Sequence, residues 1–278
     1  MSNPTAREKC VAYQGLAGSF SSMAARLLYG PEINSVNTVQ FREIFDRVMD
    51  ESADVGVLPI ENAVAGSVHE NYDLLAEYPC SIVAETYVPV QLHLMGRAST
   101  QQIKKVYSHH KALEQCSIFF ERSPDLEAIV WSDTAGAAHH VSMLGDPTVA
   151  AIASEEAAAI YSLSILRRSV QNHISNSTRF VAISKTSSDE PKPTKCSLIV
   201  SLAHRPGSLY TILGEIAQLQ LNLTKIESRP ILGAPFSYSF HMDIECPPGQ
   251  SAALIDATQR IQKTAEKLKI LGFYRSYH

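Results

Sequence analysis

The sequence predicts a mixed α/β protein with two α/β lobes, followed by a smaller domain whose elements run βαββαβ. Two observations predict this fold class. From Cys10 onward, short apolar runs alternate with segments of helical periodicity. A stretch rich in serine, proline and charge, Ser184–Thr194, then separates this series from a second one that ends near Tyr274. A chain of 278 residues is long enough for about two domains.

The composition is that of an ordinary globular protein, with 45% hydrophobic residues, 19% charged residues and a net charge of −4. Nothing in it favours a nucleic acid as a partner. No apolar run has the length of a membrane span and no leader peptide is visible, so we expect a cytoplasmic protein. The five cysteines are far apart in the sequence, and we predict no metal and no cofactor.

A glycine turn follows the first predicted strand. Cys10–Tyr13 leads through Gln14–Ser19 into a helix that begins at Phe20. The N-terminus of such a helix presents free backbone N–H groups, which suit an anion. We therefore expect Gly18 and Ser19 to bind a carboxylate of a substrate, with an ordinary tight turn as the alternative.

The next predicted strand, Asp54–Ile60, ends in polar residues. Glu61 and Asn62 follow it directly, and ligands bind beyond the carboxyl ends of the strands in open α/β sheets. We therefore expect both side chains to face a ligand. Ser67 is in position to cap the helix that follows.

The second lobe begins in the apolar run Ile82–Leu94, where Pro89 predicts an edge strand or a crossover. Three predicted units follow: Lys105–His109 with a helix over 112–120, Ala128–Trp131 with a helix from Thr134 towards Leu144, and Val149–Ala153 with a helix capped by Ser154. We predict that the histidine pairs at 109–110 and 139–140 are mostly surface or capping residues. His109 is also a candidate for a cleft between the lobes.

The stretch Asn176–Phe180, with the sequence NSTRF, lies where a polar loop meets an apolar run. Thr178 can donate a proton to a leaving oxygen, and Arg179 can bind a carboxylate through two parallel hydrogen bonds. We expect the two side chains to lie side by side and to bind an acidic small molecule. The alternative is a β-forming threonine followed by a surface arginine.

The C-terminal series has the order of a small ferredoxin-like sandwich, and its size leaves little room for an active site. Its predicted elements are a strand at Cys196–Leu202, a helix over 209–216, strands at Leu221–Ile226 and Phe236–Cys246, a helix at Ala252–Lys267 and a strand at Leu271–Tyr274.

Six motifs in one order resemble the prephenate dehydratases and the closely related arogenate dehydratases. They are GVLPIEN at 56–62, GSVHENYDLL directly after the turn, HHKALEQC at 109–116, SDTAGAA at 132–138, AAIASEEAA and NSTRF. The stretches RPGSLY at 205–210 and NLTKIESRP at 222–230 resemble the ACT regulatory module. The resemblance covers nearly the whole chain.

The resemblance implies a two-lobed catalytic region, like type II periplasmic binding proteins, at residues 8–184. Lobe 1 would comprise about 8–86 and 168–184, and lobe 2 about 87–167. A linker at 185–194 and an ACT domain at 195–278 would follow. A fused chorismate mutase is not expected.

The resemblance also implies a carbon–oxygen lyase. Prephenate loses its ring hydroxyl and ring carboxyl together to give phenylpyruvate, whereas arogenate gives phenylalanine directly. The catalytic residues would be Thr178, Arg179, Glu61 and Thr134. Thr178 would act as the proton donor, and Glu61 or Asp133 could polarise it. The residues that hold the substrate would be Gly18, Ser19, Asn62, Ser67, Asp133, Asn176 and Phe180.

Substrate preference stays open, because the run DTAGAA at 133–138 is closer to the arogenate-using plant type. A non-catalytic sensor of amino acids is an alternative from another class. NSTRF argues against that alternative, since a pure binder needs no hydroxyl donor.

The ACT resemblance implies feedback control by phenylalanine bound between paired domains of a homodimer or homotetramer. A coupling of this kind is typically worth about 1–3 kcal/mol. The alternative is that the residues of these two stretches only shape the turn and a dimer contact. The effector-binding residues would be Gly207, Ser208, Leu209, Asn222, Glu227, Ser228 and Arg229.

Overall fold

The computed structural model describes residues 9–97, 102–231, 233 and 237–277. The strands of these residues are β1 Cys10–Gln14, β2 Asn34–Thr38, β3 Val55–Asn62, β4 Gly66–Ser67, β5 Ser81–Pro89, β6 His93–Gly96, β7 Lys105–His109, β8 Glu127–Trp131, β9 Val149–Ala153, β10 Ser164–Arg167, β11 Ser177–Ser184, β12 Lys195–Ser201, β13 Asn222–Pro230, β14 Tyr238–Glu245 and β15 Lys267–Tyr274. The helices are α1 Phe20–Tyr29, α2 Phe41–Met49, α3 His69–Glu77, α4 His110–Gln115, α5 Ser117–Glu121, α6 Thr134–Leu144, α7 Glu155–Ile160, α8 Ser208–Gln218 and α9 Ser251–Thr264. No helix of the described residues is long and apolar enough to cross a membrane.

The first sheet has the strand order β2-β1-β3-β11-β5, and β4 pairs with β3. Pro89 ends β5, which lies at an edge of this sheet, as Pro89 predicted. The strand β2 was not predicted, because its sequence NSVNT is mostly polar and mostly exposed. The end of β3 lies beside the start of β11, because the Ala63 N–H donates to the Ser177 carbonyl at 2.9 Å.

The second sheet has the order β10-β6-β9-β7-β8. Its central strand β9 is buried along its whole length, and β7 runs parallel to both β8 and β9. The apolar core around β9 consists largely of alanine, including Ala135, Ala137 and Ala138 of α6. Such short side chains let α6 pack closely on the sheet. The edge strand β10 is short and was not predicted.

Three predicted element limits were wrong. The strand β3 continues through Asn62 and turns back into β4, which contains Ser67. The helix α3 begins at His69, and its cap by Ser67 stays a prediction. The helix predicted over 112–120 is divided into α4 and α5 at Cys116. The last helix ends at Thr264 rather than Lys267, because the Glu266 N–H donates to the Ser201 carbonyl and joins the sheet.

The chain forms two compact units. The first comprises the described residues of Met1–Ile44, Val57–Val68 and Thr86–Phe180. The second comprises Phe45–Gly56, His69–Glu85 and the described residues of Val181–His278. The domain limits at residues 8, 184 and 194 stay a prediction, and residue 8 lies outside the described residues.

The second unit contains a four-stranded sheet with the order β13-β14-β12-β15. With α8 and α9, its elements follow the predicted order βαββαβ. The strand predicted from Phe236 begins at Tyr238 among the described residues, and Phe236 lies outside them. The core of the sheet and its helices is apolar and includes Leu198, Ile212 and Ile261.

A buried cluster of charges lies in the same unit. The ammonium of Lys195 lies 3.0 and 3.1 Å from the two carboxylate oxygens of Glu85 and 2.9 Å from Glu245. The side chains of Lys195 and Glu85 are only 2% and 1% exposed. Water therefore cannot replace either partner if the other is removed.

We predict that Lys195→Met lowers the free energy of unfolding by about 3–5 kcal/mol, because it leaves the Glu85 carboxylate buried without its cation. Urea unfolding measures the loss. The double variant Lys195→Met/Glu85→Gln removes both charges and should recover much of it. A loss below about 1 kcal/mol in the single variant would contradict the burial of this pair.

Buried in the second unit, His241 makes an edge-on contact with the ring of Tyr72 at 4.9 Å between ring centroids. Burial lowers the pKa of His241 from 6.5 to about 4, although the charges of Asp73 and Asp243 oppose the shift. The native state therefore holds a neutral imidazole, while the unfolded chain takes up a proton below pH 6.5.

We predict that stability falls as the pH drops from about 6.5 towards 4, because only the unfolded state gains the proton of His241 in that range. His241→Phe keeps the edge contact and should reduce the stability lost between pH 6.5 and 5 by about 2 kcal/mol. Urea titrations at several pH values measure this. Identical pH slopes for the variant and the wild type would contradict a buried neutral imidazole.

Candidate active site

The side chain of Asn62, at the end of β3, is fixed in orientation. Its Oδ1 accepts hydrogen bonds from the backbone N–H groups of Val64 at 3.0 Å and Ala65 at 2.8 Å. The amide nitrogen therefore points the other way. It donates to Thr178 Oγ1 at 2.8 Å and to Asn176 Oδ1 at 2.8 Å.

This contact determines what the hydroxyl of Thr178 can do. An amide N–H₂ group only donates, so Thr178 accepts this bond and its own proton remains available for another acceptor. Thr178 is also nearly buried, with 9% of its surface exposed. A donor at the hydroxyl oxygen stabilises negative charge there, and that makes the hydroxyl a better acid.

Asn176 is held from three sides. Its Oδ1 accepts from Asn62, its Nδ2 donates to Gln115 Oε1 at 3.1 Å, and its backbone carbonyl accepts from the Val90 N–H at 2.8 Å. Sequence reasoning did not identify Gln115. Its motif HHKALEQC was part of the resemblance, but nothing in the spacing shows which of those side chains reaches Asn176.

The expectation that Thr178 and Arg179 lie side by side was wrong. Both belong to β11, and successive side chains of a strand point to opposite faces. Thr178 therefore shares its face with Phe180, which is 2% exposed, and Arg179 points away. Arg179 is itself only 5% exposed, so the alternative of a surface arginine was wrong too.

The loop at Gly18 and Ser19 is packed against α7. Gly18 has a φ of +85°, and a Cβ atom there would lie 2.8 Å from the Cα of Ala157. The Ser154 hydroxyl donates to the Gly18 carbonyl at 2.6 Å. Ser19 Oγ accepts from the Ser22 N–H at 3.2 Å and caps α1. Both residues have structural roles here, and their contact with a substrate stays a prediction.

A groove with a volume of about 480 Å³ lies in the first unit, and Asp133 is one of its lining residues. We call it the Asp133 groove. Its lining residues are Gln14, Gly15, Leu16, Asn37, Thr38, Val39, Trp131, Ser132, Asp133, Gly136, His139, His140 and Met143.

Asp133 caps α6 through its Oδ1, which accepts from the Gly136 N–H at 2.8 Å. Gly136 is needed because a Cβ atom there would lie 2.6 Å from Asp133 Oδ2. Thr134, the first residue of α6, is half-buried. Glu61 is half-buried too and lies opposite Ser67 in the β3–β4 pairing.

The histidine pairs have different environments. The ring of His140 is half-buried and stacks on Trp131 at 4.1 Å between centroids, so it belongs to an aromatic cluster rather than to the surface. His139 is exposed. Burial lowers the pKa of His109, as does His110, and the charge of Asp133 opposes this. The imidazole of His109 is therefore mostly neutral at neutral pH.

A second cavity of about 300 Å³ lies in the second unit, and only some of the expected effector residues line it. Ser208 and Leu209 line it, and the Ser208 hydroxyl is buried without a partner among the described residues. Gly207, with a φ of +85°, is the residue before α8.

The expected effector residues on β13 lie elsewhere. The guanidinium of Arg229 donates to both carboxylate oxygens of Asp73, at 2.9 and 2.6 Å, and Glu227 lies 3.2 Å from His69. These contacts join β13 to α3. Asn222 and Ser228 lie on the other, exposed face of the strand.

The fold and the hydrogen-bonded cluster of Asn62, Asn176 and Thr178 define an α/β protein with a site for a small molecule. The family model described as prephenate dehydratase matches residues 11–188. The chain belongs to the prephenate dehydratase family.

Two relatives illustrate the family. A bifunctional chorismate mutase/prephenate dehydratase of Enterobacter agglomerans is 34% identical over 99% of this chain and 73% of its own. Arogenate dehydratase/prephenate dehydratase 1 of Arabidopsis thaliana, a chloroplastic protein, is 36% identical over 95% of this chain and 71% of its own.

Two solved structures are similar over nearly the whole chain. Prephenate dehydratase from Arthrobacter aurescens in complex with L-Phe has a TM-score of 0.85 and 27% identity, covering 96% of this chain and 90% of its own. A protein described as GqqA, a novel type of quorum quenching acylase, has a TM-score of 0.83 and 30% identity, covering 97% of this chain and 98% of its own.

We predict that Asn62→Ala lowers kcat with prephenate about 10²- to 10³-fold, the usual cost of removing one donor that stabilises developing charge. Steady-state kinetics measure this. The matched control is Asn172→Ala, because the Asn172 side chain also bonds a backbone N–H and a neighbouring hydroxyl, at Ile118 and Ser117. An equal loss in both variants, or a loss below threefold in Asn62→Ala, would contradict the role of Asn62.

Proposed function

We propose that the chain catalyses the decarboxylating dehydration of prephenate to phenylpyruvate, with arogenate as an alternative substrate that gives phenylalanine. The observation that carries the proposal is the hydrogen bond from Asn62 Nδ2 to Thr178 Oγ1 at 2.8 Å. It leaves the proton of a nearly buried hydroxyl available, and the reaction needs one proton donor of this kind.

In the proposed mechanism, Thr178 donates its proton to the ring hydroxyl, which leaves as water when the carbon–oxygen bond breaks. The ring carboxyl leaves as CO₂, and the electrons of its carbon–carbon bond complete the aromatic ring. Asn62 stabilises the threonine oxygen until solvent returns a proton. General-acid catalysis of this kind contributes about 10²- to 10⁴-fold. Phe180, on the same strand face, supplies an apolar environment that favours loss of the charged carboxylate.

The other expected residues have supporting roles in the proposal. Asn176 keeps Asn62 and Thr178 in place, and Arg179 stabilises β11 from its opposite face. Glu61, Thr134 and the Gly18-Ser19 loop border the substrate, as does Ser67.

An acylase that used Thr178 as its nucleophile would need a hydrogen-bond acceptor, rather than a donor, beside the hydroxyl. A hydroxyl nucleophile requires a neighbouring base that accepts its proton, whereas the Asn62 amide donates to it. This contact favours an acid over a nucleophile, and therefore a dehydratase over an acylase.

We further propose that the catalytic region is of the two-lobed type II periplasmic-binding-protein kind, and that residues from 195 onward form an ACT domain. The order βαββαβ supports the ACT assignment. Phenylalanine is the proposed effector, and the relative solved with L-Phe supports this. Ser208 and Leu209 would bind it, while Arg229 and Glu227 attach β13 to α3. A homodimer or homotetramer in the cytoplasm completes the proposal.

We predict that Thr178→Ala lowers kcat about 10²- to 10⁴-fold with either substrate, because it removes the proton donor. Thr178→Ser retains a hydroxyl and should retain most of the turnover. Product formation from prephenate and from arogenate measures both, and calorimetry should find substrate binding to Thr178→Ala within a few fold of its usual strength. A wild-type protein that binds but turns over neither substrate would leave a sensor of amino acids as the function.

A further inference from the structure

The Asp133 groove has the chemistry of a site for a cation. Asp133 is its one carboxylate, and none of its described lining residues is a lysine or an arginine. A carboxylate at a helix N-terminus is usually a cap and nothing more, and Asp133 does cap α6. Its position in a groove whose described lining residues include no lysine or arginine is what suits an ammonium group.

A second lining residue independently points to a ligand. Thr38 is 4% exposed, and its hydroxyl has no hydrogen-bond partner among the described residues. Buried hydroxyls almost always have a partner, so an unpaired one at a groove indicates a group that binds there. A hydroxyl can accept from an ammonium as readily as it can donate to a carboxylate.

The groove borders the sheet that contains Thr178, because Gly15 and Thr38 line it. Gly15 lines it directly after β1, and β1, β3 and β11 are consecutive strands of the first sheet. Neighbouring strands are about 4.8 Å apart, so β1 and β11 are roughly 10 Å apart. Prephenate and arogenate carry the departing hydroxyl and the three-carbon side chain at opposite ends of one ring. With the hydroxyl at Thr178, the side chain extends towards the groove.

The two substrates differ only in that side chain. Arogenate has an ammonium group where prephenate has a ketone oxygen. A carboxylate attracts the ammonium and repels the partial negative charge of the ketone. We propose that Asp133 is a specificity-determining residue, which binds the ammonium of arogenate and favours that substrate over prephenate. The inference rests on the proposed function, because it states which residue binds the three-carbon side chain of the same substrate.

The experiment compares Asp133→Asn with Asp125→Asn. Asparagine is as good a helix cap as aspartate, so Asp133→Asn keeps the cap and removes the charge. Asp125 is exposed and does not line the groove, and its replacement changes the net charge by the same amount. The quantity measured is kcat/KM for arogenate divided by kcat/KM for prephenate.

We expect Asp133→Asn to lower this ratio roughly 10- to 100-fold, the usual value of a hydrogen bond to a charged group. The decrease should come from a lower kcat/KM for arogenate, and Asp125→Asn should leave the ratio unchanged. An unchanged ratio in Asp133→Asn would overturn the proposal, as would an equal loss with both substrates.

A binding arm separates failure of this inference from failure of the proposed function. Calorimetry measures the Kd of arogenate and of prephenate for Thr178→Ala and for Thr178→Ala/Asp133→Asn, with no turnover required. Weaker binding of arogenate alone in the double variant supports the role of Asp133 even if the wild-type protein turns over neither substrate. Equal Kd values in the two variants overturn it.

Discussion

The proposed chemistry depends on one side chain whose amide cannot turn round. The backbone N–H groups of Val64 and Ala65 hold Asn62 Oδ1, so the amide nitrogen must face Thr178 and Asn176. A reversed amide would place its oxygen against the hydroxyl of Thr178 and accept the hydrogen bond that this hydroxyl can donate. The proton would then not be directed at a substrate. The orientation set by the turn between β3 and β4 is therefore what leaves the Thr178 hydroxyl available as an acid.

Further hydrogen bonds hold the Asn62 and Thr178 side chains in place. Asn176 links Asn62 to Gln115 of α4, so this helix contributes to the position of the hydroxyl. The Gly18 loop is fixed in a similar way by Ser154. Rigid placement of a weak acid matters, because misplacing a proton donor by about 1 Å can cost 10²-fold in rate.

The sequence predicted most helices and strands, since apolar periodicity and caps such as Ser19 and Ser154 are local features. It also predicted that Thr178 and Asn62 are site residues, and the structure places these two side chains in hydrogen-bond contact. It did not predict that Thr178 and Arg179 face opposite sides, because β11 begins at Ser177 while the apolar run begins only at Phe180. Gln115 and Thr38 were missed for another reason. Their importance comes from tertiary contacts, and no spacing in the sequence encodes those.

The central claim is that the hydroxyl of Thr178 meets the departing hydroxyl of the substrate. A crystal structure of Thr178→Val with prephenate bound tests this most directly, since valine keeps the shape of the side chain and cannot donate. We predict that the substrate's ring hydroxyl lies within about 4 Å of the methyl group that replaces the hydroxyl of Thr178. A ring hydroxyl bound in the Asp133 groove, with the side chain at residue 178, would contradict the account.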